Sequence, residues 1–352
     1  MDGAIKKRKR PRRHDDILPK AKAIVILIGE EKDIGTVWVQ NLKYELDLLV
    51  SPRANFTVQI VPVEKMFMVV QPHVVNDWHY VINRVPESSR SDIAKISLAI
   101  LRYCELFHIK VYNSAECLLI GQNKILHHAV LSALGLQSPV SVLVRDIDSI
   151  KTIVENETLS FPVLLKPNAG GYGKGIQKFK CKEELLKFYN ENKHMNRNFF
   201  GMDGSALIQH CYGLSPSPTV YRVWVLNGSL QCAIKVDRPR GGFSGACMSD
   251  ACTAVKTVVT AIDVATLDTH IKRAILKIAD FCGAHCCSIE YLFENAESEQ
   301  QAPKDPIYFD VNMLSTLPTN KPEFGVINSQ SVWGTRNFWK ELASDIFRKF
   351  TA

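Results

Sequence analysis

The sequence predicts a mixed fold, an α/β unit on a parallel sheet followed by an α+β unit whose strands are largely antiparallel. Two observations carry this. Between Lys22 and Ser114, short β-branched runs alternate with amphipathic stretches of helical spacing, the pattern of strands joined by helical crossovers. From Ala206 onward, strand-like runs follow one another with a tight-turn signal between two of them, and one long helical stretch interrupts. With 352 residues and 46% hydrophobic content, the chain can bury a sizeable core and divide into two or three subdomains.

The elements read in order as follows. KAIVILIG is a strand that stops at Gly29, and VWVQNLKYELDLLV has the apolar spacing of a helix. FTVQIVPV and HYVINRV are the next two strands, the latter followed by polar ESSRSD. IAKISLAILRYCELF is an amphipathic helix leading into IKVYNS, a fourth strand. A helix starts near Lys124 (KILHHAVLSALGL) and ends at Gly135, and VSVLV, a polar helical stretch and FPVLLKP follow. ALIQHCYG, TVYRVWVLNGSLQCAIKVDRP, HCCSIEYLFEN and PIYFDVNML read as strands, with Asn227-Gly228 as a hairpin turn and DVATLDTHIKRAILKIADFCG as the long helix. The acidic, Gln-rich NAESEQQAPKDP is a surface loop. These runs divide the chain into a disordered basic tail (1–20), a Rossmann-like layer (21–120), a central unit (121–206) and a C-terminal unit (207–352).

Charge and cysteine usage narrow the setting. Of the net +7, about +6 lies in residues 1–14, where seven Lys/Arg stand against one acid, so the rest of the chain is nearly neutral. No nucleic-acid-binding face is expected beyond that tail. KKRKRPRR reads as a nuclear-import or polyanion-binding segment, or as a plain solvated tail. No run approaches the length of a membrane span, and ten cysteines without a regular framework fit reduced thiols in an intracellular, cytoplasmic setting. Cys282, His285, Cys286 and Cys287, with Cys247 and Cys252 nearby, lack the separated ligand pairs of a zinc site and read as packing thiols.

The residues that carry chemistry begin with FPVLLKPNAGGYGKGI, from Phe161 to Ile176. A buried strand would bring Lys166 to its end, and Gly170, Gly171, Gly173 and Gly175, with Lys174 among them, would let backbone N–H groups approach a polyphosphate. The spacing is neither G-x-x-x-x-G-K-[ST] nor the first turn of G-x-G-x-x-G, and a plain glycine hairpin is the alternative. In YFDVN, strand alternation points Asp310 and Asn312 the same way, and SIEYLF offers Glu290 on a neighbouring strand. Hard oxygen donors of this kind suit Mg²⁺ with phosphate oxygens completing its shell. The same three could be surface polar residues, but flanking Phe309, Val311 and Ile289 argue for a lined cleft. Gln209, His210, Cys211 and Tyr212 form a strand end that could present backbone groups to an adenine edge. Arg222, at the end of a flexible loop, could reach a phosphate or serve as a salt-bridge partner.

The order of these motifs resembles the ATP-grasp superfamily over residues 22 to about 345, with a Rossmann-like pre-ATP-grasp domain in front. YVINRV…AKISLAILRYCELFHIKVYNSAECLLIGQNK, IKVDRPRGGFSGACMSDAC, IEYLF and FDVN are more narrowly similar to RimK-type amino-acid ligases and to RimK-like bacterial proteins. That resemblance implies that Lys124 and Lys166 bind ATP phosphates and that Gly170, Gly171, Gly173, Lys174 and Gly175 form a lid. It makes Gln209, His210, Cys211 and Tyr212 the adenine hinge and Arg222 a stabiliser of the transferred phosphoryl group. Glu290, Asp310 and Asn312 would hold two Mg²⁺ ions, with Mn²⁺ as the substitute, and Arg238 and Arg240 would meet the acid substrate or its acyl phosphate. The implied activity is an ATP-dependent carboxylate–amine ligase with an unnamed acid and amine. A kinase acting on a hydroxyl and a nucleotide-binding regulatory protein without turnover are the alternatives. No convincing Ser/His/Asp or Cys/His set is present, which fits a reaction that needs no protein nucleophile.

Overall fold

The structure is a computed structural model that describes residues 22–50, 55–66, 77–87, 89–156, 158–171, 173, 175–193, 200–212, 219–237, 258–294, 305–314 and 338–351. The basic tail, Lys174, Arg238, Arg240, Cys247, Cys252 and residues 295–304 of the Gln-rich loop lie outside the described residues.

The first unit is a parallel sheet, sheet A. Its strands are β1 (Lys22–Ile28), β2 (Phe56–Pro62), β3 (Trp78–Asn83) and β4 (Lys110–Tyr112), in the order β2-β1-β3-β4. α1 (Val37–Val50) connects β1 to β2, and α2 (Ser91–Leu106) connects β3 to β4. β1 is apolar at successive positions because both its faces are covered. Ile24, Ile26 and Ile28 enter one core with α1, while Ala23, Val25 and Leu27 enter another with Ile93, Ile100 and Leu101 of α2.

α3 (Ala115–Gly121) and α4 (Lys124–Ala133) lead out of this layer. Ser114 caps α3 by accepting from the Cys117 N–H at 3.3 Å. The next unit, sheet B, is antiparallel. It consists of β5 (Ser141–Val144), β6 (Val163–Pro167), β7 (Gln177–Phe179) and β8 (Ala206–His210), in the order β5-β8-β6-β7. α5 (Ile147–Glu155) and α6 (Lys182–Asn192) cover one face, and Ile150, Leu185, Val163, Leu165 and Ile208 belong to a core confined to this unit. β8 runs across the boundary expected at 206/207.

Sheet C is also antiparallel. Its strands are β9 (Thr219–Leu226), β10 (Ser229–Asp237), β11 (Val258–Ile262), β12 (Cys286–Phe293) and β13 (Pro306–Asn312), in the order β11-β10-β9-β12-β13. Asn227 and Gly228 both take positive φ, 48° and 70°, as a two-residue hairpin of right-handed twist requires. Alternation along β9 decides what each face buries. Val223 and Val225 pack on α7 (Thr269–Phe281), whereas Val220, Trp224 and Leu226 share the core of sheet A, α1 and the terminal helix α8 (Phe338–Thr351). Trp38 of α1 meets Trp339 of α8 edge to face at 5.4 Å. Among the described residues no helix is long and apolar enough to cross a membrane.

Candidate functional site

The polar centre is assembled from three elements: the end of β6, the first turns of α4, and the row of side chains that crosses β9, β12 and β13. Lys166 is the fourth residue of β6, paired with Leu207 of β8, and only 5% of its surface is exposed. Burial lowers its ammonium to about 8. Lys124 adds to that effect, and the carboxylates of Asp310 and Glu290 oppose it. The Lys166 ammonium makes no hydrogen bond or ion pair among the described residues. A buried cation so placed is a ready site for an anion.

Asn168, just beyond β6, ties this strand to α4. Its Oδ1 accepts from the Ile125 N–H at 3.0 Å, its carbonyl accepts from the Lys124 N–H at 3.2 Å, and its Nδ2 donates to Asp203 at 2.7 Å. Lys124, the first residue of α4, donates from Nζ to the Gly170 carbonyl at 2.8 Å. The two lysines therefore flank the start of the glycine loop. Gly173 and Gly175 have φ of 68° and 77°, and a Cβ on Gly175 would stand 2.9 Å from Pro167 Cγ. Gly171 lies in the same described stretch.

In sheet C, Arg222 pairs with Glu290 and Glu290 with Asp310 across neighbouring strands, and Asn312 lies opposite Ser288. Arg222 thus sits inside β9 rather than on the loop expected for it, since the strand already begins at Thr219. Its Nη1 lies 3.2 Å from Glu290 Oε1, its Nε donates to Ser288 Oγ at 2.8 Å, and its guanidinium lies 5.0 Å from the Trp224 ring centroid. Ile289 and Val311 point to the opposite face, fully buried against α7 and α4. Burial alone would raise the Asp310 carboxyl. The hydrogen bond from His127 and the charges of Lys124 and Lys166 outweigh it and hold the group well below the ordinary carboxylate range.

Two histidines that the sequence reading left unassigned belong to this centre. His127 and His128 follow Lys124 by three and four residues, so all three share one face of α4. His127 is 1% exposed, with Nδ1 3.1 Å from Asp310 Oδ1. Burial lowers its pKa, against the pull of Asp310. His128 Nε2 lies 3.1 Å from both Ser141 Oγ and Gln209 Nε2, and burial lowers this ring to about 3. Gln209 is therefore committed by its side chain. The backbone N–H groups of His210 and Cys211 are also taken, by the carbonyls of Val140 and Pro162 at 2.9 and 2.8 Å. The His210 ring bonds the Ser160 carbonyl at 2.8 Å and meets the Tyr212 ring edge to face at 4.5 Å.

Sheet A supplies a further set. Asn113 carries φ of 57° and is 2% exposed, and its carboxamide makes four hydrogen bonds. Nδ2 donates to the carbonyls of Cys286 and Met313 at 2.7 and 2.6 Å, and Oδ1 accepts from His285 and Cys286 N–H at 3.0 and 3.1 Å. Arg84 donates to the Leu314 carbonyl at 3.0 Å, while Glu87 accepts from the Leu314 N–H at 2.9 Å. Burial lifts the Glu87 carboxyl to about 7, helped by Asp310 and opposed by the Leu314 N–H, Lys124 and Arg222. A Cβ on Gly121 would come within 2.5 Å of Glu87 Oε1, so the close approach needs a glycine there.

The donor set suits Mg²⁺. Glu290 and Asp310 are hard oxygen donors facing each other, and Asn312 adds a carboxamide whose Nδ2 is buried without a partner among the described residues. Among the described residues no group of three or more His, Cys, Asp and Glu is gathered closely enough to hold a metal ion. Cys282, Cys286 and Cys287 are buried and free, and burial raises all three thiols, Cys282 to about 12 and Cys286 to about 11.

Known proteins share this arrangement of sheets. The ATP-grasp ligase PsnB in complex with a minimal precursor matches with a TM-score of 0.59 at 13% identity, covering 93% of this chain and 98% of that one. D-alanyl-alanine synthetase A of Vibrio cholerae matches at 0.62 and 14% identity, over 94% and 99% of the two chains. The chain has the ATP-grasp fold. D-alanine–D-alanine ligase of Bacillus anthracis, at 0.59 and 12% identity over 94% and 99%, is a further match. Likeness in sequence to curated proteins is local. Vancomycin C-type resistance protein VanC2 of Enterococcus casseliflavus is 36% identical over 83 residues, 23% of each protein. Urea amidolyase of Saccharomyces cerevisiae is 33% identical over 69 residues, 20% of this chain and 4% of that enzyme. These matches span under a quarter of either relative, and no protein-family model matches the chain. In this ATP-grasp fold the lysines come from sheet B and α4, and the carboxylates come from sheet C.

Proposed function

We propose that the protein is an ATP- and Mg²⁺-dependent ligase that joins a carboxylate to an amine and releases ADP and phosphate, within the RimK-type branch of the ATP-grasp enzymes. The observation that carries this reading is the convergence of Lys124, Lys166 and Asp310, each within electrostatic reach of the others, beside a glycine loop in an ATP-grasp fold. Lys124 and Lys166 hold the phosphates, with Gly170, Gly171, Gly173, Lys174 and Gly175 as the covering loop, and Arg222 neutralises the transferring phosphoryl group. Glu290, Asp310 and Asn312 would hold Mg²⁺, which when bound neutralises the phosphate oxygens. PsnB has been solved with Mg and ADP, which supports the same pair here.

In the proposed reaction a substrate carboxylate oxygen bonds to the γ-phosphorus as ADP leaves. The amine nitrogen then bonds to the acyl carbon, phosphate departs, and the nitrogen gives up a proton. Glu87, held at one oxygen by the Leu314 N–H and within electrostatic reach of Lys124, Arg222 and Asp310, is assigned to the acceptor's ammonium, from which it would take one proton to give the attacking amine. Arg238 and Arg240 are assigned to the acid or its acyl phosphate, and the segment from Gln209 to Tyr212 to the base.

The test is release of ADP and phosphate with Mg²⁺ and pools of amino acids, with the products read by mass spectrometry. Release that requires both an acid and an amine, with an amide product, is expected. A phosphorylated hydroxyl product would make the protein a kinase, and nucleotide binding without release under any pool would make it a binding protein.

A further inference from the structure

α4 touches both halves of the centre within one turn. Lys124 reaches the glycine loop at the Gly170 carbonyl, and His127, three residues on, reaches Asp310 on β13. The histidine ring is 1% exposed, so its protons have few places to go. Its Nδ1 lies 3.1 Å from Asp310 Oδ1, and the Val311 N–H is directed at the same nitrogen as a hydrogen-bond donor at 3.3 Å. Its Nε2 is buried and meets no partner among the described residues.

These contacts choose the tautomer. With the proton on Nε2, an N–H would be buried without an acceptor, and the Nδ1 lone pair would face a carboxylate oxygen. With the proton on Nδ1, the ring gives up the longer bond from the Val311 N–H and leaves Nε2 an unused acceptor, but it donates to a carboxylate, the charge-assisted and stronger kind of hydrogen bond. The shorter of the two distances is the one to the carboxylate. We propose that His127 is the positioning residue of the metal site, donating from Nδ1 to Oδ1 of Asp310 so that Oδ2 keeps its lone pairs for the cation. This rests on the ligase reading for the presence of Mg²⁺. It adds that a helix residue outside the metal-binding set fixes how Asp310 is presented, and that one helix sets the spacing between a phosphate lysine and a metal carboxylate.

Full-length protein is titrated with MgCl₂ in the presence of a fluorescent, non-hydrolysable ATP analogue, mant-AMPPNP, and nucleotide affinity is measured separately in EDTA. His127→Ala is expected to raise the MgCl₂ concentration for half-maximal effect about 10- to 100-fold, the usual loss when a partner of a metal ligand is removed, with affinity in EDTA unchanged. His127→Asn puts a carboxamide nitrogen near the place of Nδ1 and should recover most of the loss. His127→Gln puts it near Nε2 and should not. A purely packing role would not separate Asn from Gln in this way. The comparison of those two variants stands even where the alanine variant fails to fold. A wild-type Mg²⁺ midpoint in His127→Ala, or equal rescue by Gln and Asn, overturns the proposal. If the unsubstituted protein binds the nucleotide with no dependence on Mg²⁺, the metal reading falls and takes this proposal with it.

Discussion

Replacing Lys166 by methionine removes an ammonium that is costly to keep buried and useful when an anion binds beside it. The group is 5% exposed and titrates near about 8 instead of 10.5, chiefly because burial disfavours the charged form. That gap corresponds to roughly 3 kcal/mol of folding stability forgone while the proton must be carried. Below pH 8 the folded and unfolded chains both hold the proton, so the full cost is present. Between 8 and 10.5 the folded chain releases it first, the unfolded chain binds more protons, and stability rises with pH. Lys166→Met, close in length and without the charge, should therefore stabilise the ligand-free protein by up to roughly 3 kcal/mol at pH 7. The gain should shrink as pH is raised above 8. Nucleotide affinity should move the other way, falling about tenfold to a hundredfold for the loss of a charge-assisted contact of about 1.5–3 kcal/mol. Urea unfolding at neutral and alkaline pH, paired with nucleotide titration, reads both. A variant less stable than the parent at pH 7, or one that binds ATP unchanged, would refute the reasoning.

Arg222→Met takes the guanidinium from a carboxylate that is itself 3% exposed, and breaking a buried pair costs about 3–5 kcal/mol. The melting temperature should fall sharply, and adding Glu290→Gln should recover part of it; no recovery would mean the two side chains act independently. Asp310→Asn keeps shape and removes charge, so Mg²⁺-dependent turnover should be lost while the fold and nucleotide binding in EDTA survive. A collapsed melting temperature with normal activity per folded molecule would mark Asp310 as structural. Gly175→Ala forces a side chain into a left-handed conformation and against Pro167, at about 1–2 kcal/mol. Stability and nucleotide affinity should fall together, and an unchanged affinity would detach the loop from the site.

What the sequence made legible was periodicity and local turn chemistry. β1 could be read because a strand covered on both faces is apolar at every position, and the β9–β10 hairpin because Asn-Gly tolerates two positive φ angles. Lys166 could be placed from the apolar run that it ends, Asp310 and Asn312 on one face from strand alternation, and Glu290 on the neighbouring strand from its own apolar run. Contacts between elements were less visible. Arg222 reads from sequence as the end of a flexible loop, whereas it lies within β9 and its charge is met by Glu290 on the next strand, a partner no local segment records. His127 and His128 had a local signal, their spacing from Lys124, but their roles depend on α4 crossing β13 and β8, which no single segment records. Gln209 carried no sign that Ser141 and His128 would occupy its side chain.

The distribution of buried apolar cores has a mechanical consequence. Sheets A and C share one, through Trp38, Trp224 and Ile346, while among the described residues sheet B has its own, drawn from its own unit between Val142 and Ile208. Parts that share a core resist relative displacement, and parts joined by polar contacts give way first. The compliant seam therefore runs between α4 and sheet B, crossed by polar contacts, those of Lys124 to Gly170, Asn168 to α4, and His128 to Ser141 and Gln209. A swing of sheet B as a unit would open or shut the cleft without disturbing the carboxylates. The work of shutting it would come from the same lysines that grip the phosphates, so capture of the ligand and closure become a single mechanical event.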